Sequence, residues 1–292
     1  MDELTIILVR GIGSGAVFAL MAMSLNIVFN ASGVLNFAQG HLLVIAGVLA
    51  FLFYPAGGSV GAWIIALVLV SVLTAAIAAL QGWLILLPLR SSVEQHSWIV
   101  TTLATSVILG AIVTLTMGPN ALNVKNPFGA FELAGTDIPF VYVGLVVLTV
   151  LVYLAIRWFQ KGMLVGLALS ALSQDLDASQ AAGASTRKLQ VLAFGISGLM
   201  MGLTGILGAS VIGISEANAL NYLVFGFIVA IVGGLGNNTG ALITGPIFGV
   251  LLMLVTYYLG NEWQTPLALA VIILVLMLRP RGIFGRVHAR RV

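Results

Sequence analysis

The chain alternates between long apolar runs and short polar breaks, and nine of the runs approach the length of a membrane-spanning helix. A helix needs about 20 apolar residues to cross the hydrocarbon core. The predicted spans cover residues 9–29, 35–54, 62–87, 99–117, 140–158, 192–212, 222–235, 241–259 and 266–278. The seventh and ninth are short, so each is a candidate for a partly re-entrant segment. Nine crossings would place the two chain ends on opposite sides of the membrane.

Composition agrees with this pattern. Of the 292 residues, 60% are hydrophobic and only 7% are charged, which is far outside the range of soluble domains. We therefore predict an all-α, polytopic helical membrane protein with about eight to nine transmembrane helices, some of them broken or re-entrant. We expect a single transmembrane domain over residues 1–292. The chain has no cysteine, which excludes disulfides and thiolate metal sites.

The longest polar interruption covers residues 161–190. Its first half carries apolar residues at helical spacing, namely Leu164, Leu167, Ala168, Ala171 and Leu172. Asp175 and Asp177 then open a second helical run that Gly183 stops, as start and stop residues do. The pattern predicts a helix–turn–helix within 161–190. Two interpretations stay open here: a solvated connector, or a docking element for a soluble partner.

The basic residues indicate an orientation, because cytoplasmic connections collect Lys and Arg. One set of connections holds Arg90, Arg157, Lys161, Arg187, Lys188, Arg279, Arg281, Arg286, Arg290 and Arg291. The opposite set holds Arg10 and Lys125. We expect the 161–190 loop and the carboxyl terminus to be cytoplasmic and the amino terminus to be outside. No charged residue falls inside a predicted span, except Arg10 and Arg157 near span edges, which argues against an ion-coupled carrier.

Glycines recur along the sixth predicted span at Gly195, Gly198, Gly202 and Gly205. Small residues on one helix face let backbones approach closely in lipid, so we predict that these four pack helices together. A second glycine-dense stretch, 232–240, is a polar break and lacks the Lys and Ser/Thr of a phosphate-binding loop. Nucleotide binding by this chain alone is not expected.

Four polar residues around the break at 30–41 are candidates for the solute pathway: Asn26, Asn36, Gln39 and His41. Unpaired amides are costly in hydrocarbon, so they must face protein or a water-filled path. Transporters often build such a path from discontinuous helices. The alternative is that these side chains only join neighbouring helices by hydrogen bonds.

Catalytic and metal sites are not expected. His41, His96 and His288 lack a carboxylate at metal-ligand spacing, and no serine lies in a nucleophile-elbow context. The sequence therefore predicts a transport protein and not an enzyme. A passive channel for a small neutral solute and an ion-coupled carrier remain alternatives.

Four motifs resemble one known family when taken in order: residues 13–26 (GSGAVFALMAMSLN), 33–40 (GVLNFAQG), 233–241 (GGLGNNTGA) and 279–285 (RPRGIFG). The chain resembles a LivH-type permease subunit of the branched-chain amino-acid ATP-binding-cassette (ABC) importers. The 161–190 loop also resembles the coupling signature of ABC importers, with Asp177, Ala178, Ser179 and Gly183 in register. The chain departs from the family pattern in two places. Gln39-Gly40-His41 stands where family members commonly have His followed by Gly-Glu or Gly-Asp, and Ser179 replaces an Ala.

The resemblance implies an assembly with a second, related LivM-type permease chain, two cytoplasmic ATPases and an extracytoplasmic solute-binding protein. It implies a bacterial or archaeal plasma membrane and no nucleic acid. ATP and Mg would bind the ATPases, and this chain would bind no cofactor. ATPase closure would act through Asp175, Asp177, Ala178, Ser179 and Gly183 to drive alternating access. Related permeases for urea and short amides share the scaffold. Because residues 39–41 depart from the family pattern, the resemblance does not identify the transported solute.

Overall fold

The computed structural model describes residues 2–54, 58–86, 97–118, 120, 122–125, 127–133 and 135–285, without the side chains of Asp2, Ser97, Leu176 and Asp177. The helices in this part of the chain are α1 (Asp2–Ser32), α2 (Gln39–Phe53), α3 (Val60–Leu86), α4 (Ser97–Met117), α5 (Val141–Gly162), α6 (Leu164–Leu172), α7 (Leu176–Ala181), α8 (Thr186–Gly208), α9 (Ala219–Val232), α10 (Asn238–Leu259) and α11 (Gln264–Leu278). Short 3-10 turns at Glu216–Asn218 and Asn261–Trp263 precede α9 and α11.

The all-α polytopic class is confirmed. Seven helical segments of the described chain are long and apolar enough to cross a membrane, and Gln39–Phe53 and Glu216–Val232 are shorter apolar helices. The second span is thus short, contrary to expectation, because 33–38 is not helical and α2 begins only at Gln39. The ninth span is longer than expected. Pro266 falls in the first turn of α11, where proline is tolerated, so the helical stretch begins upstream at Asn261.

A small β-hairpin in the connection between α4 and α5 was not predicted. Strands β1 (Ala130–Leu133) and β2 (Thr136–Pro139) pair antiparallel. Gly135 has a φ of +73°, a conformation that suits glycine in a tight turn. The same connection pairs with the one after α8 through backbone hydrogen bonds between Leu122 and Ile214. These contacts bring both connections to one end of the bundle.

The opposite end is strongly basic, and we call it the basic end. It is tied together by hydrogen bonds from Ile283 N to Val232 O (2.8 Å) and from Asn237 Nδ2 to Phe284 O (2.8 Å). Its described basic residues are Arg157, Lys161, Arg187, Lys188, Arg279 and Arg281. Arg90, Arg286, Arg290 and Arg291 lie outside the described residues, as do His96 and His288.

Arg10 departs from its predicted place at the edge of a span. Because α1 already begins at Asp2, Arg10 lies about two helical turns inside the candidate span Glu3–Ser32. Its Nε is buried without a hydrogen-bond partner among the described residues.

Helices α1 and α8 form the centre of the bundle, while α4 and α11 lie at its periphery. The predicted packing glycines of α8 face α3 and α2. A Cβ on Gly202 would collide with the backbone of Ser71, and one on Gly205 would collide with Ala46. Gly198 is equally close to Ala78, whereas Gly195 has ordinary space, with Ala79 3.6 Å away. Close backbone approach therefore needs glycine at three of the four positions.

Candidate functional site

The predicted site residues fall into separate places. The residues assigned to coupling lie on the α6–α7 segment at the basic end. Asn26 faces the glycine-rich turn before α10, and Asn36 and Gln39 share a buried network. His41 belongs to a third group with residues of α4 and the turn before α9. The structure thus divides the predicted pathway set into three.

Helix α7 begins and ends with local signals that differ in one detail from the prediction. Asp175 is the N-cap, and its carboxylate accepts a hydrogen bond from Ala178 N at 2.9 Å. Asp177 lies inside the helix, and its side chain is outside the described part. Gly183 has a φ of +85°, and Ala184 N donates to Ser179 O at 3.0 Å, which closes the helix end. The helix is therefore opened by Asp175 and not by Asp177.

Only part of the apolar pattern that the sequence shows on α6 is buried. The helix buries Gly166, Leu169 and Leu172, while Leu164 is 86% exposed and Leu167 is 48% exposed. The cause is the sharp turn at the end of α5. A Cβ on Gly166 would collide with the carbonyl of Phe159, so glycine lets α6 fold back against α5 along this face. The outward face is apolar and has no partner among the described residues.

Two cavities border α6. One, of about 360 Å³, is mostly apolar and lies between α1, α5, α6 and α8, with lining residues that include Ile27, Ile156 and Leu169. The other is an open cleft of about 1160 Å³ at the basic end, lined by Arg157, Lys161 and Arg281 among others. The α6–α7 segment is thus joined to the bundle with free space beside it.

Asn26 is buried and holds a turn. Its Oδ1 accepts a hydrogen bond from Gly236 N at 2.8 Å, and Asn30 Nδ2 donates to Gly236 O at 3.0 Å. Gly236 has a φ of +81°, and a Cβ there would collide with Asn30. These contacts fasten the 233–237 turn to the basic end of α1.

Asn36 and Gln39 belong to a closed network of hydrogen bonds, which we call the amide network. Gln81 Nε2 donates to Asn36 Oδ1 at 2.8 Å, and Asn36 Nδ2 donates to Gln39 Oε1 at 3.1 Å. Gln39 Nε2 donates to Ser24 Oγ at 2.8 Å. All four residues are at most 4% exposed. The network joins α1, α2 and α3, and its amides already have partners in this conformation.

His41 makes a different set of contacts, which we call the histidine site. Its Nδ1 lies 2.8 Å from Ser106 Oγ in α4, and its Nε2 lies 3.6 Å from Glu216 Oε1. Glu216 was expected in an outer connection, and its carboxylate extends from the turn before α9 to the face of α4 beside Gly110. Glu216 itself lies in the 3-10 turn before α9 and not inside a helix, so it is Arg10 that departs from the prediction that spans hold no charged group in their interior.

Four site residues were missed: Ser24, Gln81, Ser106 and Glu216. Gln81 is an isolated polar residue within a long apolar run, a signal that the sequence offers, whereas Ser106 is less conspicuous because it follows Thr105. Glu216 offers no local signal, because it stands in the connection between two apolar runs and only the fold brings its carboxylate to α4. Within the described chain, no group of three His, Asp or Glu residues could hold a metal ion.

Comparison with known proteins agrees with this architecture. The chain matches the family described as branched-chain amino acid transport system / permease component over residues 7–278. The high-affinity branched-chain amino acid transport system permease protein LivH of Escherichia coli K12 is 28% identical, over 97% of this chain and 96% of that protein. BraD of Pseudomonas aeruginosa, with the same description, is 24% identical over 98% of this chain and 97% of its own length.

Similarity extends to an archaeal protein and to a solved structure. The probable branched-chain amino acid transport permease protein LivH of Methanocaldococcus jannaschii is 26% identical over 91% of this chain and 88% of its own. The solved structure is PsaBC from Streptococcus pneumoniae in complex with Fab. The match covers 96% of this chain and 91% of the PsaBC chain, with 14% identity and a TM-score of 0.46. The match over residues 7–278 confirms the resemblance seen in the sequence, and the chain belongs to the branched-chain amino acid ABC transporter permease family.

Proposed function

We propose that this chain is the permease subunit of an ABC importer that moves branched-chain amino acids, or a similar small polar solute, into the cytoplasm. The observation that carries the proposal is the family match over nearly the whole chain, together with the names of its LivH and BraD relatives. The protein would alternate between two states around a path through the bundle. It would work without a catalytic site of its own.

The partners follow from the same proposal. A second, LivM-type permease would complete the passage, a solute-binding protein would deliver the solute, and two ATPases would bind ATP and Mg. The outward apolar face of α6 supports an ATPase contact. Met163, Leu164 and Leu167 are 40%, 86% and 48% exposed beside the N-capped α7. Adjacent exposed apolar side chains on a water-facing loop mark a protein interaction surface.

Force from the ATPases would pass through α6 and α7 into the centre of the bundle. Helix α6 contacts α1, α5 and α8, and α7 contacts α8. Since α1 and α8 are the central helices, a displacement of α6 reaches both. The cavity of about 360 Å³ beneath α6 gives this helix room to move without displacing packed side chains.

The coupling role is tested by Gly183→Val in the reconstituted importer. A Cβ at Gly183 meets no atom within 4 Å, so the cost arises from its φ of +85°, roughly 1–3 kcal/mol for a residue that avoids this region. We expect leucine uptake to fall at least tenfold while ATP hydrolysis continues. Gly118→Val is the matched control, because Gly118 has a φ of +76°, also has open space, and ends α4 at the opposite end of the bundle. Native uptake in the Gly183 variant would reject the coupling role.

We propose a plasma-membrane location in a bacterium or archaeon, with the basic end in the cytoplasm, which places the amino terminus outside. The cysteine-free sequence allows a direct labelling test. Single cysteines at Glu3 and Asn261, which are exposed opposite the basic end, should react with an impermeant thiol reagent applied outside intact cells. Cysteines at the exposed Ser173 and Ser185 should react only after the membrane is opened. Labelling of Ser185→Cys in intact cells would show that the basic end lies outside, contrary to the proposed orientation.

A further inference from the structure

Glu216 belongs to the 3-10 turn before α9, but its carboxylate lies deep along α4. Ser106, which contacts His41, stands at the middle of the helix Ser97–Met117. A Cβ on Gly110, one turn further, would lie 2.7 Å from His41 Nε2 and 2.9 Å from Glu216 Oε1. Gly110 is two turns before Met117, or about 10 Å along the helix. The imidazole and carboxylate thus lie against the backbone of a candidate membrane span, well inside its ends.

Ser106 sets the orientation of the imidazole proton. When the Ser106 hydroxyl donates to Nδ1, the neutral ring carries its proton on Nε2, which points at the carboxylate of Glu216. The opposite tautomer would place a lone pair toward that carboxylate, so the electrostatics favour the first arrangement. The Nε2–H of His41, oriented by Ser106, therefore faces the Glu216 carboxylate from one side.

The Glu216 carboxylate keeps capacity for another donor. Its 3.6 Å separation from Nε2 is longer than the roughly 2.7–3.2 Å of an N–H···O hydrogen bond. Within the described residues, no shorter hydrogen bond to this side chain is present. A carboxylate offers about four lone-pair sites. Glu216 is thus oriented by His41 but not saturated by it.

The Glu216 side chain is also open on one side. It is 35% exposed, while the side chain of His41 is 6% exposed. An ionisable group at this depth is costly when it faces lipid, and such residues line water-filled paths or pair with protein groups. The exposed side of Glu216 therefore marks a place where water or a hydrated solute enters the bundle.

We infer that Glu216 lines the solute passage and binds the primary ammonium group of the transported amino acid, with His41 and Ser106 as positioning residues. This inference rests on the proposed function for the identity of the solute. An ammonium group supplies N–H donors and a positive charge, which match the free oxygen sites of the carboxylate. The amide network has no charged group to offer, so the two polar clusters would serve different purposes.

A reporter cysteine tests the site without removing the carboxylate. Ala217, next to Glu216, is exposed, whereas Ile108 is 60% exposed on the face of α4 opposite Ser106 and Gly110. In reconstituted permease complex, we expect Ala217→Cys to react with a small water-soluble thiol reagent at least tenfold faster than Ile108→Cys. Equal, slow labelling of both would overturn the aqueous passage at Glu216.

Protection from labelling tests the ligand class. Millimolar leucine and ethylammonium should each slow labelling of Ala217→Cys several-fold, while 4-methylpentanoate, which lacks the ammonium group, should not. Adding Glu216→Gln should abolish protection, and adding Glu132→Gln, a carboxylate exposed on the hairpin, should preserve it. Protection by 4-methylpentanoate, or protection that survives Glu216→Gln, would overturn ammonium binding. Protection by ethylammonium without protection by leucine would keep the site and reject the proposed solute.

Discussion

The amide network and the histidine site start two residues apart in the sequence, at Gln39 and His41, yet they differ in almost every physical respect. The amide network is closed: its side chains are at most 4% exposed and bond to one another across α1, α2 and α3. The histidine site is open on one side, because Glu216 is 35% exposed and keeps free acceptor sites. A closed cluster stabilises the bundle, whereas an open one has capacity left for a ligand.

The difference arises from helix geometry. Successive helical residues are separated by about 100°, so Gln39 and His41 point to different sides of α2. Gln39 faces α1, where it meets Ser24, and His41 faces the peripheral helix α4. Polar residues that cluster in a sequence can therefore serve separate purposes, and variants at the two positions should separate stability from transport.

The largest expected effect is on stability, from Asn36→Leu. The change removes the partner of Gln81 and one partner of Gln39, leaving buried amide groups unsatisfied. An unsatisfied buried group costs about 1–3 kcal/mol, although hydrogen bonds in membrane bundles average nearer to 0.6 kcal/mol. We expect a loss of about 2 kcal/mol, measured as a lower midpoint of unfolding in detergent.

Asn261→Leu is the control, because Asn261 is exposed at the start of the last 3-10 turn. The sequence alone made Asn36 and Gln39 candidates for the solute pathway, in which case a leucine at either position would lower transport first. The geometry instead predicts that stability is affected first. If Asn36→Leu kept the native unfolding midpoint but took up less solute, the result would support a role for Asn36 in the solute pathway.

Local signals explain what the sequence could predict. Asp175 and Gly183 mark helix ends through their own backbones, and small residues such as Gly202 permit close packing wherever a neighbouring helix arrives. Apolar runs define spans because each reflects a single helix in lipid. The face that α6 buries could not be predicted, because it depends on the close contact between Gly166 and Phe159, which helical spacing does not contain.

The histidine site could not be predicted because its parts come from three distant segments. His41, Ser106 and Glu216 meet only after α2, α4 and the turn before α9 are packed. Gly110 looks like any small residue of a span until the structure shows that a Cβ would meet both His41 and Glu216. Long-range contacts of this kind have no periodicity that a single sequence reveals.

The second prediction concerns Gly110→Ala, which should disturb the histidine site without unfolding the protein. The added methyl group would meet His41 Nε2 at 2.7 Å and Glu216 Oε1 at 2.9 Å, so both side chains must move. Misplacement of a binding group can cost up to about a hundredfold, and we expect leucine uptake to fall about tenfold. Because alanine favours a helix by roughly 1 kcal/mol over glycine, the unfolding midpoint should change little.

Gly144→Ala provides the comparison, since its added Cβ would meet Leu207 at 3.5 Å, an ordinary contact. We expect uptake by this variant to remain native. Equal uptake by both alanine variants would mean that the exact position of Glu216 does not matter, and the contrast between the closed and open clusters would lose its functional meaning.

The smallest expected effect comes from Ser106→Ala, which removes the hydroxyl that orients His41. A hydrogen bond of this kind contributes about 0.5–1.5 kcal/mol, so leucine should protect Ala217→Cys about threefold less well. Ser106→Thr should restore protection, because threonine keeps a hydroxyl at this position. Thr116→Val is the control: among the described residues, the Thr116 hydroxyl donates only to carbonyls of its own helix, including Ile112 O at 2.7 Å. If Ser106→Ala lowered the unfolding midpoint and left protection unchanged, Ser106 would only stabilise the bundle, as the residues of the amide network do. Glu216 would then bind its ligand without help from α4.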